Sequence, residues 1–207
     1  MNDTVHGWLD ALASEAPAPG GGAAAGLLVS VGAALVEMVC NLTVGREKYK
    51  DVEQLMLETR ETAGKLRREA DRLREEDTAA FEEVSAAYSL PKGTAEEKAS
   101  RSARIQDALR TATAVPLRTT EVGAEVLELA QRVVLAVNRN VISDAGAAAL
   151  SARAGAEASA LNVRINLAAI KDPAYTSTQV AALEALLARA ERSGSAVVTA
   201  VDASISR

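Results

Sequence analysis

From Val52 to Ala87 one pattern repeats: Val52, Leu55, Thr59, Ala63, Leu66, Ala70, Leu73, Asp77, Ala80, Val84 and Ala87 fall three or four residues apart. That spacing places them on one face of a long helix, whereas a strand would alternate every second residue. A helix of this length cannot bury such a stripe alone, so it needs neighbours of similar length. Pro91 and Gly93 in "SLPKGT" end it, and Thr94 with Glu97 three residues later forms a capping box that opens a second helix. This second helix is expected to kink at Pro116 and continue to Val137. "NRNVISD", residues 138 to 144, has no period and reads as a connector. Asp144 to Ile170 reads as an Ala-rich helix stopped by "KDP", and a last helix is expected from Thr178. No alternating run is long enough to predict a strand. The fold class expected is therefore all-α: a single domain over 1–207, built as an elongated antiparallel bundle of roughly six helices.

Composition narrows the function classes. Hydrophobic residues make up 48% but aromatics only 2%, so the apolar content is mostly Ala, Val and Leu, which lets helices approach closely. A formal net charge of -5 supplies no basic face for phosphate neutralisation, which argues against a nucleic-acid partner. The single cysteine, Cys40, excludes an internal disulfide and a Cys-cluster metal site. His6 is the only histidine, so imidazole metal catalysis and serine- or cysteine-hydrolase triads lack their base. "MNDTVHGWLD" is polar and acidic where a secretory leader would be basic and then apolar. Ala23 to Val36 is uncharged, but Glu37 interrupts it short of the ~20 residues of a membrane span. The expectation is a soluble, cytoplasmic protein with no membrane partner.

Three consecutive glycines in "APAPGGGAAAG", residues 16 to 26, raise the question of a nucleotide loop. Gly20, Gly22 and Ala25 fit a loose dinucleotide pattern, but Pro17 and Pro19 exclude the central strand it needs, and no Lys-Ser/Thr follows as a Walker loop requires. Two readings stay open. Gly20, Gly21 and Gly22 either deliver backbone N–H groups at a helix N-terminus to an anion or carbonyl, or let two helices cross closely. Polar groups at apolar positions carry the other signals. Glu37 and Asn41 make a polar line on an uncharged helix, and Asp77 interrupts the long stripe; each carboxylate is either paired structurally or functional. Asn138, Asn140, Ser143 and Asp144 lie in the connector, where Ser or Asp would also serve as a helix cap. Asn162 and Asn166 share one helix face with Ser151 and Ala158, as interhelical amides or as an amide ladder for a heterocycle.

Taken in order, "PAPGGGAAAG", "VEMVCNLTVGREKY", Asp77 with Phe81, "LPKGTAEEKASR", "AVPL", "NRNVISDAGAAAL" and "LNVRINLAAIKDPAY" resemble the cyclodeaminase/cyclohydrolase family of one-carbon folate metabolism, over nearly the whole chain. The resemblance implies an all-helical homodimer with folate bound in a groove near the subunit contact. It leaves two reactions open: hydrolysis of 5,10-methenyltetrahydrofolate to 10-formyltetrahydrofolate is expected because this sequence carries no formiminotransferase half, formiminotetrahydrofolate cyclodeamination is the alternative, and a non-catalytic folate-binding or dimer module is the third reading. No metal or redox cofactor is expected, the folate being the substrate. Among the matched positions the candidate catalytic residues are Asp77 or Asp144 as the base, with Glu37 as the second acid-base or stabilising group. The candidate substrate-binding residues are Gly20, Gly21, Gly22, Asn41, Lys48, Tyr49, Asn138, Asn140, Ser143, Asn162 and Asn166. Pro17, Pro19, Met38, Thr43 and Phe81 also match. Glu47, between Arg46 and Lys48, breaks what would otherwise be a basic patch.

Overall fold

The computed structural model describes residues 4–206. It contains α1 (Val5–Leu12), α2 (Gly21–Asn41), α3 (Glu53–Tyr88), α4 (Ala95–Val133), α5 (Ile142–Ala168) and α6 (Pro173–Ile205), and among the described residues there is no strand. The long stripe is the buried face of α3: Thr59, Ala63, Leu66, Ala70, Leu73, Ala80 and Ala87 are all buried. α4 starts on the expected cap, with Glu97 N–H donating to Thr94 Oγ1 at 3.1 Å and Glu97 Oε2 accepting from Thr94 N–H at 3.0 Å. It returns antiparallel to α3, and Arg118 pairs with Glu69 at 2.8 Å while Arg132 reaches Glu58 at 3.4 Å.

Three expectations need correction. α4 ends at Val133, short of the expected Val137, and passes through Pro116 as one continuous helix. Proline has no N–H, so the carbonyl of Ala112 loses its helical donor. The side-chain amide of Asn166 on α5 replaces it at 2.5 Å, and Ser159 Oγ donates to the Pro116 carbonyl at 2.9 Å. The connector is a 3-10 turn, Arg139–Val141, and α5 has Val141 at its N-cap, so Ser143 and Asp144 lie in the first turn and do not cap it. α6 begins at Pro173, five residues before the expected start, because "KDP" opens a helix as readily as it closes one. Proline's missing N–H is an orphan at the first helical position anyway, and Asp172 caps by accepting from Tyr175 N–H at 3.1 Å.

α2 packs against α3, α4 and α5. It is long and apolar enough to cross a membrane, but half of its most apolar window is buried inside the bundle. Its neighbours touch it at backbone range: a methyl on Gly32 would lie 2.9 Å from the Ala148 carbonyl, and one on Gly155 would lie 2.7 Å from the Ala25 carbonyl. These contacts run α5 antiparallel to α2. Val29, Val36, Val39, Met56, Leu127 and Val133 fill the surrounding core. Cys40 is buried there, and desolvation pushes its thiol up to about 11.

The Pro116 repair gives a test. Asn166→Leu should lower stability by about 1–3 kcal/mol, the cost of a buried unpaired carbonyl. In a Pro116→Ala background, where residue 116 regains an N–H for Ala112, thermal denaturation should show a smaller loss.

Candidate functional site

α2 is 21 residues long, which at 1.5 Å per residue is about 30 Å, and the expected site residues gather at its two ends. At its N-terminus, Gly20 is the cap residue and offers no side chain to the free amides of the first turn. Asp77, coming from α3, brings an acceptor to these amides, and the Ala23 N–H acts on its carboxylate. Its carboxylate fills the space beside Gly22, where a Cβ would overlap both oxygens. The third glycine is thus required by the aspartate. Burial raises the Asp77 carboxyl above its ordinary value, and the Ala23 hydrogen bond opposes that shift. Asn166 is engaged with Ala112, and the Asn162 amide donates to its own helix at Ala158, 3.1 Å away. Both asparagines make protein hydrogen bonds, one of them between helices.

The other end is a polar cluster. Glu37 Oε1 accepts from Arg67 Nε at 2.8 Å, and Asn41 Oδ1 accepts from Arg60 at 3.2 Å. Glu37, Asn41 and Arg60, together with Gln54, Gly64 and Arg68, line an open groove of about 490 Å³ between α2 and α3. Asn138 clasps the end of α2: its backbone N–H donates to Thr43 Oγ1 at 2.9 Å and its side-chain amide to the Leu42 carbonyl at 3.2 Å. Its Oδ1 accepts from Asn140 N–H at 3.1 Å, and Tyr49 OH accepts from Arg139 N–H at 3.3 Å. Lys48 is exposed, with its ammonium 5.4 Å from the Tyr49 ring centroid. Ser143 is exposed and Asp144 half-buried. The antiparallel register set by Gly32 and Gly155 puts Asp144 level with the Glu37 end of α2.

Within one chain, then, Gly20–Gly22 and Asp77 meet, and Glu37 meets Asn41. Asp77 stands apart from Glu37 by the fifteen residues between Gly22 and Glu37, about 22 Å of helix. Arg60, Gly64 and Arg67 are neighbours that the sequence reading missed. Arg67 had no local signal, being thirty residues from its partner. Gly64 did have one, as a lone glycine inside a long helix. Among the described residues, no group of three His, Cys, Asp or Glu side chains is placed to hold a metal ion.

Comparison with known proteins agrees with the motif order. The family model described as Formiminotransferase-cyclodeaminase matches residues 4–185. The chain is 50% identical over 189 residues to a methenyltetrahydrofolate cyclohydrolase of Methylorubrum extorquens, covering 91% of each. It is 28% identical over 203 residues to the formimidoyltransferase-cyclodeaminase of Mus musculus, covering 98% of this chain but only 38% of the mouse protein. The crystal structure of formiminotetrahydrofolate cyclodeaminase from Thermotoga maritima superposes with a TM-score of 0.88 at 29% identity, covering 98% of this chain and 97% of that one.

The Asp77 contact has two measurable consequences. Gly22→Ala should destabilise by about 1–3 kcal/mol through overpacking, and Asp77→Ala should relieve most of that loss. A carboxyl whose folded value is raised favours folding while protonated and loses that contribution as pH climbs from its ordinary 3.8 through the raised value. Asp77→Asn should therefore gain in stability relative to the parent as pH rises through that window, read from urea denaturation at a series of pH values.

Proposed function

Because the chain belongs to the formiminotransferase-cyclodeaminase family, we propose that it is a folate enzyme that hydrolyses 5,10-methenyltetrahydrofolate to 10-formyltetrahydrofolate. The observation that carries this reading is the 50% identity, across 91% of both chains, to a protein named for that reaction. Water adds to the cationic carbon between N5 and N10 with release of one proton, and the hydroxyl proton of the adduct passes to N5 as the carbon–N5 bond breaks, which leaves the formyl group on N10. The reaction balances with water alone. It needs negative charge near a cationic carbon and a group that moves one proton, both of which carboxylates supply.

Asp77 suits the proton-moving role, because burial favours its protonated form and so brings its two states closer in free energy. Glu37, held by Arg67 at the rim of the groove, suits electrostatic stabilisation of the cation, and Asp144 is the second candidate base. The free amides of the glycine turn, with Lys48, suit the pterin carbonyl or the glutamate tail. A cytoplasmic location goes with this reading.

A second copy of the chain completes it. Ala24, Leu28, Val31, Leu35, Met38 and Leu42 form a stripe of alternating four- and three-residue steps on the outer face of α2. Leu28, Val31 and Leu42 are exposed there, as are Leu150, Leu161 and Ile165 on neighbouring α5. Covering this face with an antiparallel copy would bring the glycine turn and Asp77 of one protomer toward the Glu37 end of the other. Formiminotetrahydrofolate cyclodeamination is the second reading, favoured by the T. maritima likeness along almost the full length of both chains.

Purified protein should accelerate the absorbance decay of 5,10-methenyltetrahydrofolate above its spontaneous hydrolysis. Asp77→Asn should lower kcat by about 10²-fold or more while folding normally. No acceleration, with methenyl product formed from formiminotetrahydrofolate instead, would move the activity to the second reading. Light scattering at micromolar concentration should give twice the chain mass, and a monomer would remove the shared-site arrangement.

A further inference from the structure

α3 has one glycine, Gly64, and its own backbone gives no reason for it. The residue lies inside continuous helix, and the chain's only positive φ among the described residues is at Gly45. A glycine in a helix interior is less favourable than alanine, so something outside the helix must account for it.

What lies outside is Glu37. A methyl on Gly64 would stand 3.1 Å from Glu37 Oε1 and 3.5 Å from the nearer guanidinium nitrogen of Arg68. The first distance is too tight, so the oxygen would have to move by a few tenths of an ångström. That same oxygen accepts the 2.8 Å hydrogen bond from Arg67, so the shift would stretch this bond or turn the carboxylate toward the groove. Gly64 is also part of the groove floor, and its neighbour Ala63 is the residue that packs into the core.

We propose that Gly64 is a positioning residue for the reaction: its missing side chain lets the Glu37 carboxylate lie flat against α3, paired with Arg67 and aimed along the groove. The proposal rests on the folate reading above and on a role for Glu37 in it. It predicts an unusual pairing of effects, because the substitution that improves the helix should impair the enzyme.

The test is a double-substitution cycle on the full chain with 5,10-methenyltetrahydrofolate as substrate, comparing the parent, Gly64→Ala, Glu37→Gln and the pair. Gly64→Ala should leave the thermal unfolding midpoint unchanged or higher. It should lower kcat by about five- to tenfold, since small misplacements of a reacting group are costly, and leave KM within about twofold. In the Glu37→Gln background the same change should alter kcat by less than about twofold, because the group it displaces is already gone. Parent-like kcat in Gly64→Ala, an equal fall in both backgrounds, or a lowered midpoint would each overturn the positioning role. Parent protein without turnover would overturn the hydrolase reading and this proposal with it, whereas a normal parent rate confines any failure to Gly64.

Discussion

Close approach of backbones around α2 is the constraint on which the rest of the structure depends. Gly32 and Gly155 set α5 against α2 at distances where a single methyl would meet a carbonyl, and Gly26 does the same toward Arg74 and Ala70 of α3. Small residues at these crossings replace the aromatic bulk that a core of this size more often uses, which is why a chain with 2% aromatics still closes its interior. The close contact also fixes side chains at short range. Asp77 can reach the amides of α2, and Glu37 can lie on the backbone of α3, because there is almost no gap between the helices.

The proposed function rests on that placement. A helix N-terminus stripped of its own cap by glycine is met by a half-buried carboxylate from another helix, which yields an acid whose protonated state is favoured by desolvation. At the far end, a half-buried glutamate is held by an arginine beside an open groove. One end suits moving a proton and the other suits stabilising positive charge, and a folate reaction at a cationic carbon uses both. The apolar outer faces of α2 and α5 supply the geometry by which two chains would bring opposite ends together.

Much of this was legible before any coordinates, for identifiable reasons. The stripe of α3 is a periodic signal summed over many residues, and every strongly apolar position in its centre is buried as the spacing required. The capping box at Thr94 is local chemistry and read correctly. Boundaries failed where one residue has two uses: Pro173 reads as a stop or a start, and Ser143 and Asp144 as caps or first-turn residues. The repair of α4 at Pro116 was hidden because it comes from Asn166, fifty residues away in sequence and adjacent only in the fold. The Glu37–Arg67 pair was hidden for the same reason. Gly22 beside Asp77 was half legible: the sequence allowed a close crossing or an anion site, and the structure shows a carboxylate occupying the turn.

The most direct test of the packing account is the stability of Gly155→Ala, measured by chemical denaturation. Two effects oppose each other at this position: helix propensity favours alanine by about 1 kcal/mol, and the collision with the Ala25 carbonyl and Val29 costs about 1–3 kcal/mol. The account predicts that the collision wins and the variant is less stable than the parent. A variant more stable than the parent would mean that α2 and α5 do not meet at backbone range, and the placement of Asp144 level with Glu37 would lose its basis.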